Sequence, residues 1–242
     1  QNKVDYQSMY NEYWQRLDRI GSRSSDLGAL AEVVAAVNGY GNALDIGCGE
    51  GFFVSELIPK GIDAFGVDVS AVVIGRANQK FPGRFFEGSV LSLPFQDSQF
   101  DMVVSTDCLE HLAPSDVPKA LQEIHRVSRR YVFLQVATTH DRDGHWHLTV
   151  EGRSWWEARC FEAGFRKHAL YYYVNTYEAL NNDDWQILIL LEKVPKEVLL
   201  NPELSIFSGS STQYKDMLRE VGRHSDAYCI RYHKAAEFIR PG

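Results

Sequence analysis

Ala43 to Gly51 reads ALDIGCGEG, a short apolar run closed by glycines at alternate positions, Gly47, Gly49 and Gly51. A run of that length is a buried strand, and the glycines at its end mark a sharp turn. The next residues, FFVSELI, bury Phe53, Leu57 and Ile58 on one side and stop at Pro59. The segment is therefore a strand, a turn and a helix. Glycines at such a turn let a ligand reach the backbone, because no Cβ stands in the way. A tight turn with no ligand would use the same residues, so the surrounding sequence has to decide between the two.

Outward from this unit the same alternation repeats. Upstream, DLGALAEVVAAV (26–37) has helical spacing at Leu27, Leu30, Val33, Val34 and Val37, and Asn38 and Gly39 stop it. Downstream come the strand IDAFGVDV, a helix over about 71–79, the strand RFFEG and, after a polar loop, the strand FDMVVST. A helix over 115–127 follows, with Val117, Ala120, Leu121, Ile124 and Val127 on one face, and then the strand RYVFLQVA. The helix SWWEARCFEA ends at Gly164, a residue type that relieves a last turn. Two final strands, about 167–174 and 185–192, are joined without a helix, which predicts an antiparallel pair. The fold class is α/β: a Rossmann-like, doubly wound, seven-stranded sheet, mainly parallel with one antiparallel strand at or near its edge. In such sheets ligands bind at the carboxyl ends of the strands, beside the first strand.

Composition narrows the rest. The 242 residues carry 32 acidic and 25 basic side chains, a formal charge of −7, with 45% apolar residues. That apolar share supports a core and excludes a disordered chain. The charge argues against a nucleic-acid groove, which needs a basic surface. The densest apolar run, Ile187 to Leu191, is strand-sized and far short of the ~20 residues that cross a bilayer. Cys48, Cys108, Cys160 and Cys229 show no CxxC spacing and read as thiols of a reducing compartment. The chain begins at Gln1 with no signal-peptide pattern, so the expectation is a cytoplasmic protein and a processed or excised piece of a longer one.

The ligand of the glycine turn can be narrowed by charge. A dinucleotide fingerprint spaces its glycines GxGxxG; here the third glycine comes one residue early and Phe52 takes its place. Asp45 and Glu50 flank the turn, and two carboxylates would repel a pyrophosphate while attracting an ammonium or sulfonium group. Asp68 ends the second strand in VDVS, where a carboxylate either holds both ribose hydroxyls or caps the next helix; Ser70 stands better placed for the cap.

ALDIGCGEG, VDVS and LPFQDSQFDMVVSTDCLEHL, in that order and spacing, resemble the class I S-adenosylmethionine-dependent methyltransferases, in particular the broad type 11 domain, from about Leu27 to Leu191. The resemblance implies S-adenosylmethionine as cofactor and S-adenosylhomocysteine as product. It implies that Asp45 and the turn Gly47, Cys48, Gly49 and Gly51 hold the methionine end, and that Asp68, with Val69 beside it, holds the ribose. Ser89 and Val90 would flank adenine, and Asp107 and Cys108 would line the methionyl side. Many members have Asp where this chain has Ser89, which implies a bond to the adenine amine that is either weaker or made by backbone instead.

Methyl transfer from a sulfonium is an in-line displacement that needs an aligned nucleophile and, for a hydroxyl, a group to take its proton. The candidates are His111, in LEHL, and His145 and His147, in TTHDRDGHWHL, which also contains His140. Trp146, Trp155 and Trp156 nearby suit a sugar ring, although a hydrated polar loop has the same composition. Asp141, Asp143, His145 and His147 alternate, so in an extended segment they would share a face and could hold Mg²⁺ or another divalent ion; a solvated loop is the commoner use of such residues. The stretch THDRDGHWHLTVEGRSWWEARCFEAGF is also similar to bacterial methyltransferases of polysaccharide and O-antigen clusters. That similarity implies a sugar hydroxyl on a nucleotide sugar or a lipid-linked glycan as acceptor.

The predicted organisation is an aromatic lid or helix over 1–23 (Tyr6, Tyr10, Tyr13, Trp14), the methyltransferase-like domain over 24–194, and a linker with a helical tail over 195–242. The tail either opens a second methyltransferase-like domain of the parent chain or packs as a terminal helix, on this domain or in a homodimer.

Overall fold

A computed structural model describes residues 4–16, 27–141, 144–175 and 185–194. The tail beyond 194, Asp143 and Cys229 lie outside the described residues, as do the readings made of them. Seven strands form one sheet: β1 (Asn42–Ile46), β2 (Asp63–Asp68), β3 (Phe85–Glu87), β4 (Phe100–Thr106), β5 (Ser128–Ala137), β6 (Phe165–Lys167) and β7 (Gln186–Lys193). Their order is β3-β2-β1-β4-β5-β7-β6. β1 to β5 are parallel, and β7 runs antiparallel to both of its neighbours, β5 and β6. The expected single reversed strand is β7, one place in from the edge.

The helices are α1 (Tyr6–Arg16), α2 (Leu27–Asn38), α3 (Phe52–Leu57), α4 (Ala71–Lys80), α5 (Val117–Val127), α6 (Arg153–Glu162) and α7 (Tyr171–Val174). α2 to α6 cover the two faces of the sheet while α1 lies over its crevice, and the residue parity of the strands explains why both faces are apolar. Along β7, Ile187, Ile189 and Leu191 join the core beneath α5 and α6. Leu188 and Leu190 face the opposite core, against α2, α3 and α4. A strand buried on both faces has no polar positions left, hence the unbroken ILILL.

One expected strand is corrected. The segment predicted as a strand over about 167–174 is instead the three-residue β6 followed by the single helical turn α7. Its buried residues, Tyr171 and Val174, are three apart while Tyr172 and Tyr173 are exposed, a spacing that suits a helical turn and not a pleat. The Arg153 guanidinium donates to the Tyr171 hydroxyl, which in turn donates to Glu157, fixing that turn against α6. The helix at 52–57 ends as expected, in a short 3-10 turn through Pro59 that closes at Gly61 with φ +82°. The chain reverses direction across the sheet between β1 and β4. The carboxyl ends of these two strands therefore border the crevice where doubly wound sheets bind ligands.

Candidate active site

The crevice holds a cavity of about 530 Å³ that runs from the glycine turn to the loop before α6. Gly47, Gly49, Asp68, Ser89 and Val90 line one half; Asp107, Cys108, His111, Trp146 and His147 line the other. Tyr6, Tyr10, Tyr13 and Trp14 of α1 close the top.

The first half is built largely from backbone. Gly47, Gly49 and Gly51 all have positive φ, at +74°, +51° and +80°. Gly47 and Cys48 donate their N–H groups to the Val67 carbonyl, tying the turn to β2. Asp68, 9% exposed, receives the Gly49 N–H at 3.1 Å on one oxygen and the Ser70 N–H at 2.9 Å on the other. One carboxylate thus clamps the glycine turn to the start of α4 while lining the cavity. The division of labour expected at VDVS is corrected here: Ser70 occupies the cap position of α4 without capping it, and its hydroxyl donates to Asn11 of α1.

Three further expectations change in this half. A Cβ on Gly51 would stand 2.3 Å from the Phe85 ring, so the third glycine serves packing against β3, and it does not line the cavity. Glu50 turns away and is ion-paired with Arg76 at 3.5 Å and Lys80 at 3.4 Å, so its charge is answered inside the protein. Asp45 and Cys48 are buried behind the turn, where with Trp14 and Phe53 they line a separate pocket of about 30 Å³. Trp14 borders both spaces, its ring 3.4 Å from where a Gly49 Cβ would sit.

The second half is built from side chains of distant segments. Asp107 follows β4 with φ +55°, a backbone geometry uncommon for a residue with a Cβ. Glu110 is fully buried: one oxygen accepts the Ala137 N–H at 2.8 Å, and the carboxyl also meets that of Asp107, with no other N–H or O–H donor on its second oxygen among the described residues. Burial, and secondly the charge of Asp107, push the Glu110 carboxyl well above the ordinary range. His111 donates its Nδ1–H to the Trp146 carbonyl at 3.0 Å, and burial lowers its pKa. His147 donates its Nδ1–H to the Thr139 carbonyl, with its ring 5.0 Å from that of His111. One donor atom from each of Asp107, Glu110, His111 and His147 falls within 4.8 Å of the others.

The loop that delivers His147 is organised by Asp141, whose carboxylate receives backbone N–H groups from His145, Trp146 and His147. Burial works to raise this carboxyl, but the N–H groups outweigh it and hold it down to about 2. The extended face expected at 141–147 does not form: Gly144 has φ +67°, and the backbone of 145–147 folds onto the Asp141 carboxylate. His145 is exposed and outside the cavity lining, so the metal face expected from Asp141, His145 and His147 does not form. Trp156 is fully buried in the core and Trp155 packs against it, so neither lines the cavity.

The roof is anchored at several points. The Tyr6 hydroxyl donates to Asp116 at 2.7 Å and accepts the Ala113 N–H at 2.9 Å, and Arg76 donates to the Trp14 carbonyl. The Tyr10 ring meets His111, Tyr13 and Trp146 at centroid distances of 6.0 to 6.1 Å. Its buried hydroxyl has no hydrogen-bond partner among the described residues, and burial raises its pKa, so it stays an O–H. Sequence reasoning placed Tyr10 in the aromatic lid and Trp146 near the acceptor, and assigned no role to Glu110. The signal for Glu110 was an acidic residue inside the apolar run CLEHL, directly after a strand.

Known proteins share this layout. Residues 44–134 match the family described as a methyltransferase domain. A demethylmenaquinone methyltransferase of Roseiflexus castenholzii is 35% identical over 125 residues, which cover 47% of this chain and 51% of that protein. The chain thus spans about half the length of the curated relatives it matches. Among solved structures, the 1,6-didemethyltoxoflavin-N1-methyltransferase of Burkholderia thailandensis, with S-adenosylhomocysteine bound, has a TM-score of 0.59 at 15% identity, covering 78% of this chain and 87% of that one. The magnesium protoporphyrin IX methyltransferase of Synechocystis PCC 6803, with bound SAM, has a TM-score of 0.58 at 15% identity, covering 80% of this chain and all of that one. No described helix is long and apolar enough to cross a membrane. The segment from β1 to β5 is therefore similar in sequence to methyltransferase domains, and the sheet has the fold of solved methyltransferases.

Proposed function

We propose that the chain transfers a methyl group from S-adenosylmethionine to a hydroxyl oxygen of a small acceptor held beneath α1. The observation that carries this reading is the single cavity joining the Gly47–Gly49 turn and Asp68 to His111 and His147. In this reading Asp68 receives the ribose hydroxyls, Ser89 and Val90 border adenine, and Gly47, Gly49 and Cys108 border the methionyl end. Asp45 supports the turn from behind. His111 and His147 assist the loss of the acceptor proton as the oxygen attacks the methyl carbon in line with sulfur. Tyr10, Tyr13 and Trp146 offer aromatic faces to the acceptor.

A sugar hydroxyl is the first acceptor we propose, since aromatic faces interleaved with imidazoles suit a ring that carries several hydroxyls. A ring of quinone type is the second, favoured by the 35% identity to a demethylmenaquinone methyltransferase. The experiment is calorimetry with S-adenosylhomocysteine, followed by transfer of labelled methyl from S-adenosylmethionine to nucleotide sugars, glycan extracts and reduced quinones. Product binding with label in an acid-stable sugar ether supports the first acceptor, and label on the quinone ring supports the second. No binding at millimolar product overturns the enzyme reading.

A further inference from the structure

Two features of the second half are not explained by a free histidine base. Glu110 is fully buried, with one oxygen fixed by the Ala137 N–H and its carboxyl set against that of Asp107, no other donor reaching the second oxygen among the described residues. Two carboxyls that meet out of water need a shared proton or a cation between them. Secondly, both imidazoles are oriented in the same manner. His111 and His147 each give Nδ1–H to a backbone carbonyl, which leaves the lone pair of the neutral ring on Nε2. That is how proteins hold metal-binding histidines: a carbonyl behind the ring fixes its tautomer and its direction.

We propose that Asp107, Glu110, His111 and His147 bind one divalent cation on the wall of the cavity. The donor atoms lie within 4.8 Å of one another, and they come from two loops that the fold brings together at the ends of β4 and β5. Two carboxylate oxygens and two imidazole nitrogens suit first-row ions such as Mn²⁺, Co²⁺ or Zn²⁺ better than an all-oxygen ion such as Ca²⁺. The set shares only His147 with the group expected from sequence spacing, because Asp141 is committed to three backbone N–H groups. Coordination positions left over would face the cavity, as in sites that bind substrate directly.

Its chemical role rests on the methyltransferase reading above. With both Nε2 atoms on the cation, the histidines would assist proton loss through it and not as bases: the cation would hold the acceptor hydroxyl and ease release of its proton to water. The oxygen then forms its bond to the methyl carbon as the carbon–sulfur bond breaks, and sulfur keeps that electron pair. The acceptor class favoured is one with a second oxygen beside the methylated hydroxyl, as in a vicinal diol, because two oxygens can chelate.

The test uses the full chain, stripped with chelator and titrated with Mn²⁺, Co²⁺ and Zn²⁺ by calorimetry, with the visible absorption of the Co²⁺ form as a second readout. One ion per chain is expected, at low-micromolar affinity or tighter, with Co²⁺ bands that report nitrogen ligation. Glu110→Gln and His147→Ala should each weaken binding by about 10- to 100-fold. Circular dichroism melts check that the variants fold, and a wild type without metal binding or Co²⁺ bands overturns the proposal whether or not they do. Binding unchanged in both folded variants also overturns it. S-adenosylhomocysteine binding on the same samples reports separately on the enzyme reading: its loss with metal still bound defeats that reading alone, and its presence without metal defeats the metal site alone.

Discussion

The glycine-turn half of the cavity and its histidine half are assembled by different means. In the first, backbone from one continuous strand–turn–helix is clamped by a single carboxylate, Asp68, whose two oxygens each receive an N–H. In the second, four titratable side chains converge from the 107–111 and 139–147 segments, and the buried Glu110 carboxyl meets that of Asp107. The first half is closed by its own hydrogen bonds; the second is the half that the proposed cation would complete. A half held by local hydrogen bonds should lose affinity and stability together when its clamp is cut. A half held by a loop should lose acceptor chemistry while the fold stands.

The largest expected effect is at the clamp. Asp68→Ala removes two charge-assisted hydrogen bonds as well as the proposed ribose acceptor, so S-adenosylhomocysteine affinity should fall by about 100-fold, or ~2.7 kcal/mol. Calorimetry measures it, and the melting temperature should fall in the same variant. Unchanged affinity would separate Asp68 from the cofactor and break the comparison at its first term. Gly51→Ala comes next and should act on the fold without touching a ligand. A Cβ there would meet the Phe85 ring at 2.3 Å in a left-handed backbone, at a cost of about 1–3 kcal/mol. Denaturant titration should show that loss, and pairing the change with Phe85→Leu should recover part of it. If the folded protein instead loses cofactor affinity, Gly51 belongs to the binding surface after all.

Legibility followed the same division. ALDIGCGEG and VDVS located the strand–turn–helix that borders the cavity, because its parts are neighbours in sequence and ladder pairing carries β2 alongside β1 in a fixed register. What the residues did not reveal there was which carboxylate faces the cavity. Glu50 is answered by Arg76 and Lys80 a helix away, and Asp45 sits behind the turn. In the second half the residue types were legible and their grouping was not. Alternation in DRDGHWH suggested one extended face, whereas Asp141 gathers three N–H groups and folds the loop so that His147 turns in and His145 out. Glu110 joins that cluster only because its segment and the Ala137 end of β5 meet in space, a contact 27 residues apart that no local spacing encodes. The strand misread at 167–174 has a related cause: three tyrosines and a valine fit either period, and Arg153 and Glu157 on another helix settle it.

The smallest expected effect tests whether the second half can be loosened by itself. Asp141→Asn keeps the shape of the side chain but replaces the carboxylate that receives the N–H groups of His145, Trp146 and His147 with a weaker acceptor. Asp141 lies near the surface, where solvent screens its charge, so the change should leave the melting temperature nearly unaltered. It should nevertheless let His147 drift from His111, and a displacement of that size costs on the order of 10-fold in turnover of the acceptor. Cofactor-product affinity should stay within about 2-fold, because no partner of Asp141 lies in the glycine turn. The pH dependence has a definite sign. A carboxyl held near 2 in the folded chain and near 3.8 when unfolded contributes fully above about pH 4, and its contribution is lost only as the pH falls towards 2. Across the neutral range the wild-type loop therefore stays ordered by an ionised Asp141, and the two proteins should differ by a constant factor in turnover and not by a shifted pH optimum. Equal losses of cofactor affinity and turnover in Asp141→Asn would mean that the two halves move as one body, and the comparison would have to be abandoned.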